Sequence, residues 1–136
     1  MEDFLRKLSP EWPLRIGFGL MYVYSGYDIL VHSTAWYWAL RPLPQFLQSI
    51  INNQIGINTY LRFQGVGELL LAVLFLGWFL PRWALRFSSA FTALEMAFIL
   101  WLVGIDAVTF RDIGLLGAAL ALLIISFQRD GRFGSA

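Results

Sequence analysis

Four apolar runs divide the chain, at about residues 14–31, 61–80, 84–105 and 110–127. Each approaches the roughly 20 residues that a helix needs to cross about 30 Å of hydrocarbon. The runs are too long and too uniformly apolar for barrel strands, whose lipid and lumen faces alternate. The pattern predicts an all-α fold, a four-helix transmembrane bundle that makes residues 1–136 one membrane domain. The connection between the first two spans, residues 32–60, is too long for a plain turn. Within it Leu43, Phe46, Leu47, Ile50 and Ile51 fall on one helical face, with Gln45, Gln48, Ser49, Asn52 and Asn53 opposite. That predicts a short amphipathic helix lying on the outer membrane surface or capping the bundle. The functional alternative is a lid over an outward-facing pocket.

Composition supports a lipid-facing exterior. Apolar residues make up 58% of the chain and charged residues 14%, against about 25% charged in soluble domains. A net charge of +1 offers no basic stripe for nucleic acid. There is no cysteine, which removes disulfides, thiolate metal sites and a Cys nucleophile. The single histidine, His32, cannot build a zinc site alone and reads as an interfacial residue closing the first span. Glu2 and Asp3 spoil a basic leader region, so no signal peptide is expected.

The basic residues set the expected topology. Arg6, Lys7, Arg15, Arg82, Arg86, Arg129 and Arg132, seven of the ten, fall on one side, with Arg41, Arg62 and Arg111 on the other. By the positive-inside rule both termini are expected in the cytoplasm of a bacterial or archaeal cell. The six tryptophans then lie at membrane boundaries: Trp12, Trp78 and Trp83 inside, Trp36, Trp38 and Trp101 outside. Small residues are expected to pack the bundle: Gly17 and Gly19 in the first span, Gly65 and Gly67 in the second, and Gly114, Gly117, Ala118 and Ala121 on one face of the fourth.

Ionisable groups inside spans are the informative chemistry, because a charge near the bilayer centre costs about 2.5–3.5 kcal/mol on insertion scales. Glu68 lies about two turns inside the outer end of the second span, with Gln64 one turn before it on the same face. Glu95 sits mid-way along the third, in a stripe with Ser88 and Thr92. Tyr24 and Asp28 are four apart in the first, and Arg62, Arg111 and Asp112 begin the second and fourth spans on the same side. These groups either line a cavity for a headgroup, a proton or a quinone ring, or pair as structural ions, Glu68 or Glu95 with Arg62 or Arg111. Thr109 and Asp112 have capping-box spacing. Ser25 has no nearby base and reads as a packing hydroxyl.

Several short motifs carry a family resemblance. They are Leu14-Arg15-Ile16-Gly17, Ser25-Gly26, Gly67-Glu68-Leu69, Gly77, Pro81-Arg82-Trp83-Ala84 and Phe110-Arg111-Asp112-Ile113-Gly114-Leu115, in order along residues 14–127. With them the chain resembles the DoxX/DoxD-like integral membrane proteins. The resemblance implies a four-helix membrane subunit linked to redox chemistry, with quinone reduction coupled to thiosulfate oxidation in the DoxD branch and thiol-handling complexes elsewhere. It implies that the family's second-span glutamate is Glu68 and its inner-turn arginine Arg82. Many relatives have a lysine after the Ser-Gly pair; here Tyr27 and Asp28 follow, and the charge is reversed.

The expected function is therefore a quinone-linked redox subunit. Glu68 would serve as the proton donor, with Gln64, Tyr24 or Arg62 orienting the ring and Glu95, Asp28 and Arg111 lining the site. No metal and no intrinsic cofactor are expected. Quinone is the exchangeable ligand, and electrons come from a membrane or soluble redox partner. The rival readings are a module binding a lipid, sterol or small amphiphile, and a structural or assembly subunit of a membrane complex.

Overall fold

In a computed structural model, residues 9–107 and 109–131 are described, the side chains of 129–131 excepted. The expectations resting on Glu2, Asp3, Arg6, Lys7 and Arg132, and on the side chain of Arg129, lie outside these residues. The described chain is all-helical. Helix α1 covers Glu11–Val31, a short α2 covers Gln45–Ile50, α3 covers Ile57–Leu76, α4 covers Arg82–Val103 and α5 covers Phe110–Gly131. A 3-10 segment, Ser33–Leu40, precedes α2, and a π turn, Ile51–Ile55, follows it.

Three helices, α3, α4 and α5, are long and apolar enough to cross a membrane. Helix α1 matches them in length at 21 residues, about 31 Å. Glu11, Arg15, Asp28 and three tyrosines make it more polar. The long helices turn large apolar side chains outward, among them Leu20, Phe63, Leu94 and Ile124. A soluble bundle would place polar residues there.

Glycines set the helix ends. Gly56 at φ 84° starts α3 and Gly104 at φ 77° stops α4, both conformations that side chains with a Cβ rarely adopt. As a result α3 begins four residues before the expected span and ends at Leu76. Glu68 is then about three turns from the outer end, not two.

The long helices associate as two hairpins, α1 with α3 and α4 with α5. The first closes at a backbone crossing: a Cβ on Gly26 would lie 2.8 Å from the Gly65 carbonyl oxygen. Phe18 and Tyr22 of α1 stack on Phe75 of α3 with centroids 5.2 and 6.0 Å apart. Leu85, Ala93, Ala119 and Leu122 complete the core from the second hairpin.

Both hairpins open alike. Pro10-Glu11-Trp12-Pro13-Leu14-Arg15 and Pro81-Arg82-Trp83-Ala84-Leu85-Arg86 share the pattern Pro-x-Trp-x-Leu-Arg. Arg15 donates from Nε to the Phe75 carbonyl at 2.7 Å and from Nη2 to the Gly77 carbonyl at 2.9 Å. It also pairs with Glu11 at 3.1 Å and lies over the Trp12 ring. Arg86 donates to the Ser126 carbonyl at 3.2 Å and lies over the Phe127 ring. Each arginine ties the start of one helix to the carboxyl-terminal part of its partner; the Phe75 and Gly77 carbonyls met by Arg15 lie where helical carbonyls lack intrahelical donors. Arg15 is therefore a buried clamp.

The expected rotation of the last helix is wrong. Ala119, Leu122 and Ser126 face inward, whereas Gly114, Gly117 and Ala121 are exposed and Ala118 is half-buried. A Cβ on Gly114 or Gly117 would meet nothing within 4 Å, and the same holds for Gly17 and Gly67. Close approach uses Gly19 and Gly65, as expected, together with Gly26. In the outer connection Ile51 is buried, Leu43 and Leu47 are half-buried, and Phe46 and Ile50 are exposed. The amphipathic helix is thus shorter than its apolar pattern and only partly seated on the bundle.

Candidate functional site

The polar groups of α1, α3 and α4 meet inside the bundle. Tyr22 is 2% exposed, and its phenol donates to Glu95 Oε2 at 2.6 Å. Its oxygen is 2.9 Å from Thr92 Oγ1. A phenol has one proton, so with that proton on Glu95 the Thr92 hydroxyl is the donor to Tyr22. One turn further along α1, the Ser25 hydroxyl donates to Glu68 Oε2. Gln64 Nε2 donates to Glu68 Oε1 at 3.3 Å, the i,i+4 pair within α3.

Glu68 is buried and Glu95 half-buried. Among the described residues neither makes an ion pair. Arg62 and Arg111 are exposed, so the pairing alternative is not formed. Every hydrogen bond to the two carboxyl groups comes from a neutral donor. The two carboxyls are close enough to interact electrostatically. Half-buried Tyr60 and Asp112 are within electrostatic reach of Glu95. The arrangement can hold and exchange protons between hydroxyl and carboxyl groups that no cation locks in the ionised form.

The other expected site residues lie elsewhere. Tyr24 is 73% exposed, on the opposite side of α1 from Tyr22. Asp28 forms a separate cluster at the outer end of α1: Oδ1 is 2.9 Å from His32 Nδ1, and Oδ2 accepts from Trp36 Nε1 at 2.8 Å. That cluster fastens the 3-10 segment to α1, and His32 closes the helix as expected. Gln64, Glu68 and Glu95 are brought together; Tyr24, Asp28, Arg62 and Arg111 do not join them.

The capping box does not form as expected. Thr109 Oγ1 donates to the Gly104 carbonyl at 2.6 Å and accepts from the Asp106 amide at 2.8 Å. The Asp112 amide reaches only the Thr109 backbone oxygen, at 2.9 Å. Asp106, which accepts the Thr109 amide at 2.7 Å, organises this turn.

Sequence reasoning missed Tyr22 and misread Ser25. Gly19, Tyr22, Gly26 and Ile29 recur at spacings of 3, 4 and 3 and are all buried. Small residues in that stripe mark the face that α3 approaches, and Tyr22 lies between them. Among the described residues no group of three or more His, Cys, Asp or Glu is arranged to hold a metal. No family model, no curated protein and no solved structure matches the chain.

Proposed function

We propose that the chain is a four-span integral membrane protein of a bacterial or archaeal cytoplasmic membrane, with both termini cytoplasmic. In this reading it serves as a quinone-linked redox subunit of the DoxX/DoxD-like kind. The observation that carries the reading is the pair of carboxyl groups, Glu68 and Glu95, deep in an apolar bundle and held only by neutral donors. Reduction of a quinone to a quinol takes two electrons and two protons. Glu68 and Glu95 supply the protons, the second amide hydrogen of Gln64 orients a carbonyl, and a redox partner or substrate supplies the electrons. The motifs around Gly67-Glu68-Leu69 support the same assignment through the family resemblance.

One observation favours a second reading, an assembly subunit. No buried side-chain atom of the network lacks a hydrogen-bond partner, so the network also serves as interhelical glue. A paired measurement on Glu68→Gln separates the two. The variant keeps the size of the side chain and removes the exchangeable proton. The redox reading expects a nearly unchanged melting temperature and loss of quinone binding or turnover in proteoliposomes supplied with quinone. A large stability loss with quinone binding unaltered, or with no quinone bound by the parent protein, refutes it and leaves the assembly reading.

A further inference from the structure

The outer connection encloses a second feature, independent of the redox reading. A cavity of about 150 Å³ is floored by Leu40, Ile51 and Ile57. Tyr37, Arg41, Gln48 and Asn52 complete its lining. The walls are fixed. The Tyr37 hydroxyl donates to Asn58 Oδ1 at 2.6 Å, tying the 3-10 segment to α3. Gln48 Nε2 donates to the carbonyls of Arg41 and Leu43 at 3.1 and 2.8 Å, holding the backbone on either side of Pro42.

Arg41 is the only Asp, Glu, Lys or Arg in residues 32–60. Its guanidinium makes no hydrogen bond or ion pair with any described residue. Arg41, a lining residue of a braced cavity, thus carries a planar fork of five donors with no carboxylate paired to it. That geometry matches a phosphate or carboxylate, which takes two parallel N–H bonds from one arginine. Small-molecule pockets usually hold about 300–1,000 Å³; this one has room for a headgroup-sized fragment only. Exposed Trp38 and Phe46 in the same connection are suited to a membrane boundary, where such groups lie.

We propose that this cavity binds a phosphate or carboxylate group, with Arg41 as the anion-recognising residue and Asn52 as a secondary donor. The same chemistry has two sources, an outer-leaflet lipid or a water-soluble anion. The test uses one probe for each: phosphatidylglycerol as a minor component of phosphatidylcholine nanodiscs, scored by native mass spectrometry, and glycerol phosphate titrated into protein in neutral detergent. Arg41 and Asn52 are both exposed, so Arg41→Gln and Asn52→Asp leave the core untouched. Each is expected to lower binding of the retained probe about tenfold or more, the worth of a charge-assisted hydrogen bond. Arg111→Gln removes an outer charge at the start of α5, away from the cavity, and should leave binding unchanged. Arg41-dependent binding of glycerol phosphate without enrichment of phosphatidylglycerol upholds the site and assigns it to a soluble anion. Binding of neither probe, equal binding by the parent and Arg41→Gln, or an equal loss in Arg111→Gln overturns it.

Discussion

Gly26→Ala tests the packing account most directly. The added Cβ would lie 2.8 Å from the Gly65 carbonyl oxygen and 3.1 Å from the Leu69 amide nitrogen. Both are backbone atoms of α3, so no side-chain rotation relieves the clash; the helices must separate or one must bend. Overpacking of this kind costs about 1–3 kcal/mol. The comparison is Gly117→Ala, where the new methyl meets nothing within 4 Å. There helix propensity alone acts and favours alanine by up to about 1 kcal/mol. The propensity gain acts at both glycines and cancels, so the same chemical change at the two sites should differ by about 1–3 kcal/mol. At roughly 3–5 °C per kcal/mol for a chain of this size, Gly26→Ala should melt well below Gly117→Ala in the same detergent. The loss should also reach the polar network, because Ser25 adjoins Gly26 and bonds Glu68 on the helix being pushed away. If Gly26→Ala melts at or above Gly117→Ala, α1 and α3 do not cross at this point.

Arg15→Met strands the Phe75 and Gly77 carbonyls and the Glu11 carboxylate, and should cost about 3–5 kcal/mol in a thermal melt. Arg15→Lys keeps the charge without the fork and should recover only part of that; full recovery would mean that charge alone holds the clamp. Tyr22→Phe removes the bonds to Thr92 and Glu95 and should lower the melting temperature measurably, whereas Tyr24→Phe should not. Equal effects would place both phenols on one side of α1, against the observed burial. A cysteine replacing exposed Ser49 should react with an impermeant maleimide from outside the cell, and one replacing exposed Phe79 should not. The reverse labelling would invert the proposed orientation.

The existence of the long helices was legible because bilayer thickness fixes how long an apolar run must be. The Gln64–Glu68 pair was legible because it needs only i,i+4 geometry within one helix. Helix rotation was not. In a soluble bundle polar residues mark the outside; here the exterior is apolar too, and the outward-facing Gly114 and Gly117 resemble a packing stripe. The face of α1 that carries Tyr22 is hidden for the same reason, although Gly19 and Gly26 flank Tyr22 on it. Partners on different helices, such as Ser25 with Glu68, depend on the crossing at Gly26 and Gly65 and become visible only once that contact is placed.

The repeated Pro-x-Trp-x-Leu-Arg opening bears on how the molecule comes together. Each arginine fastens its own hairpin, so α1 with α3, and α4 with α5, can each close before the other half arrives. The contacts of the amino-terminal pair, Ser25 with Glu68 among them, need nothing from α5, which is synthesised last. Glu95 emerges later, and its phenol waits on the earlier hairpin. Union of the two halves and formation of the Tyr22–Glu95 contact are then one event. A chain stalled before docking would expose an unsatisfied carboxyl in the bilayer, a local defect that membrane quality control could recognise.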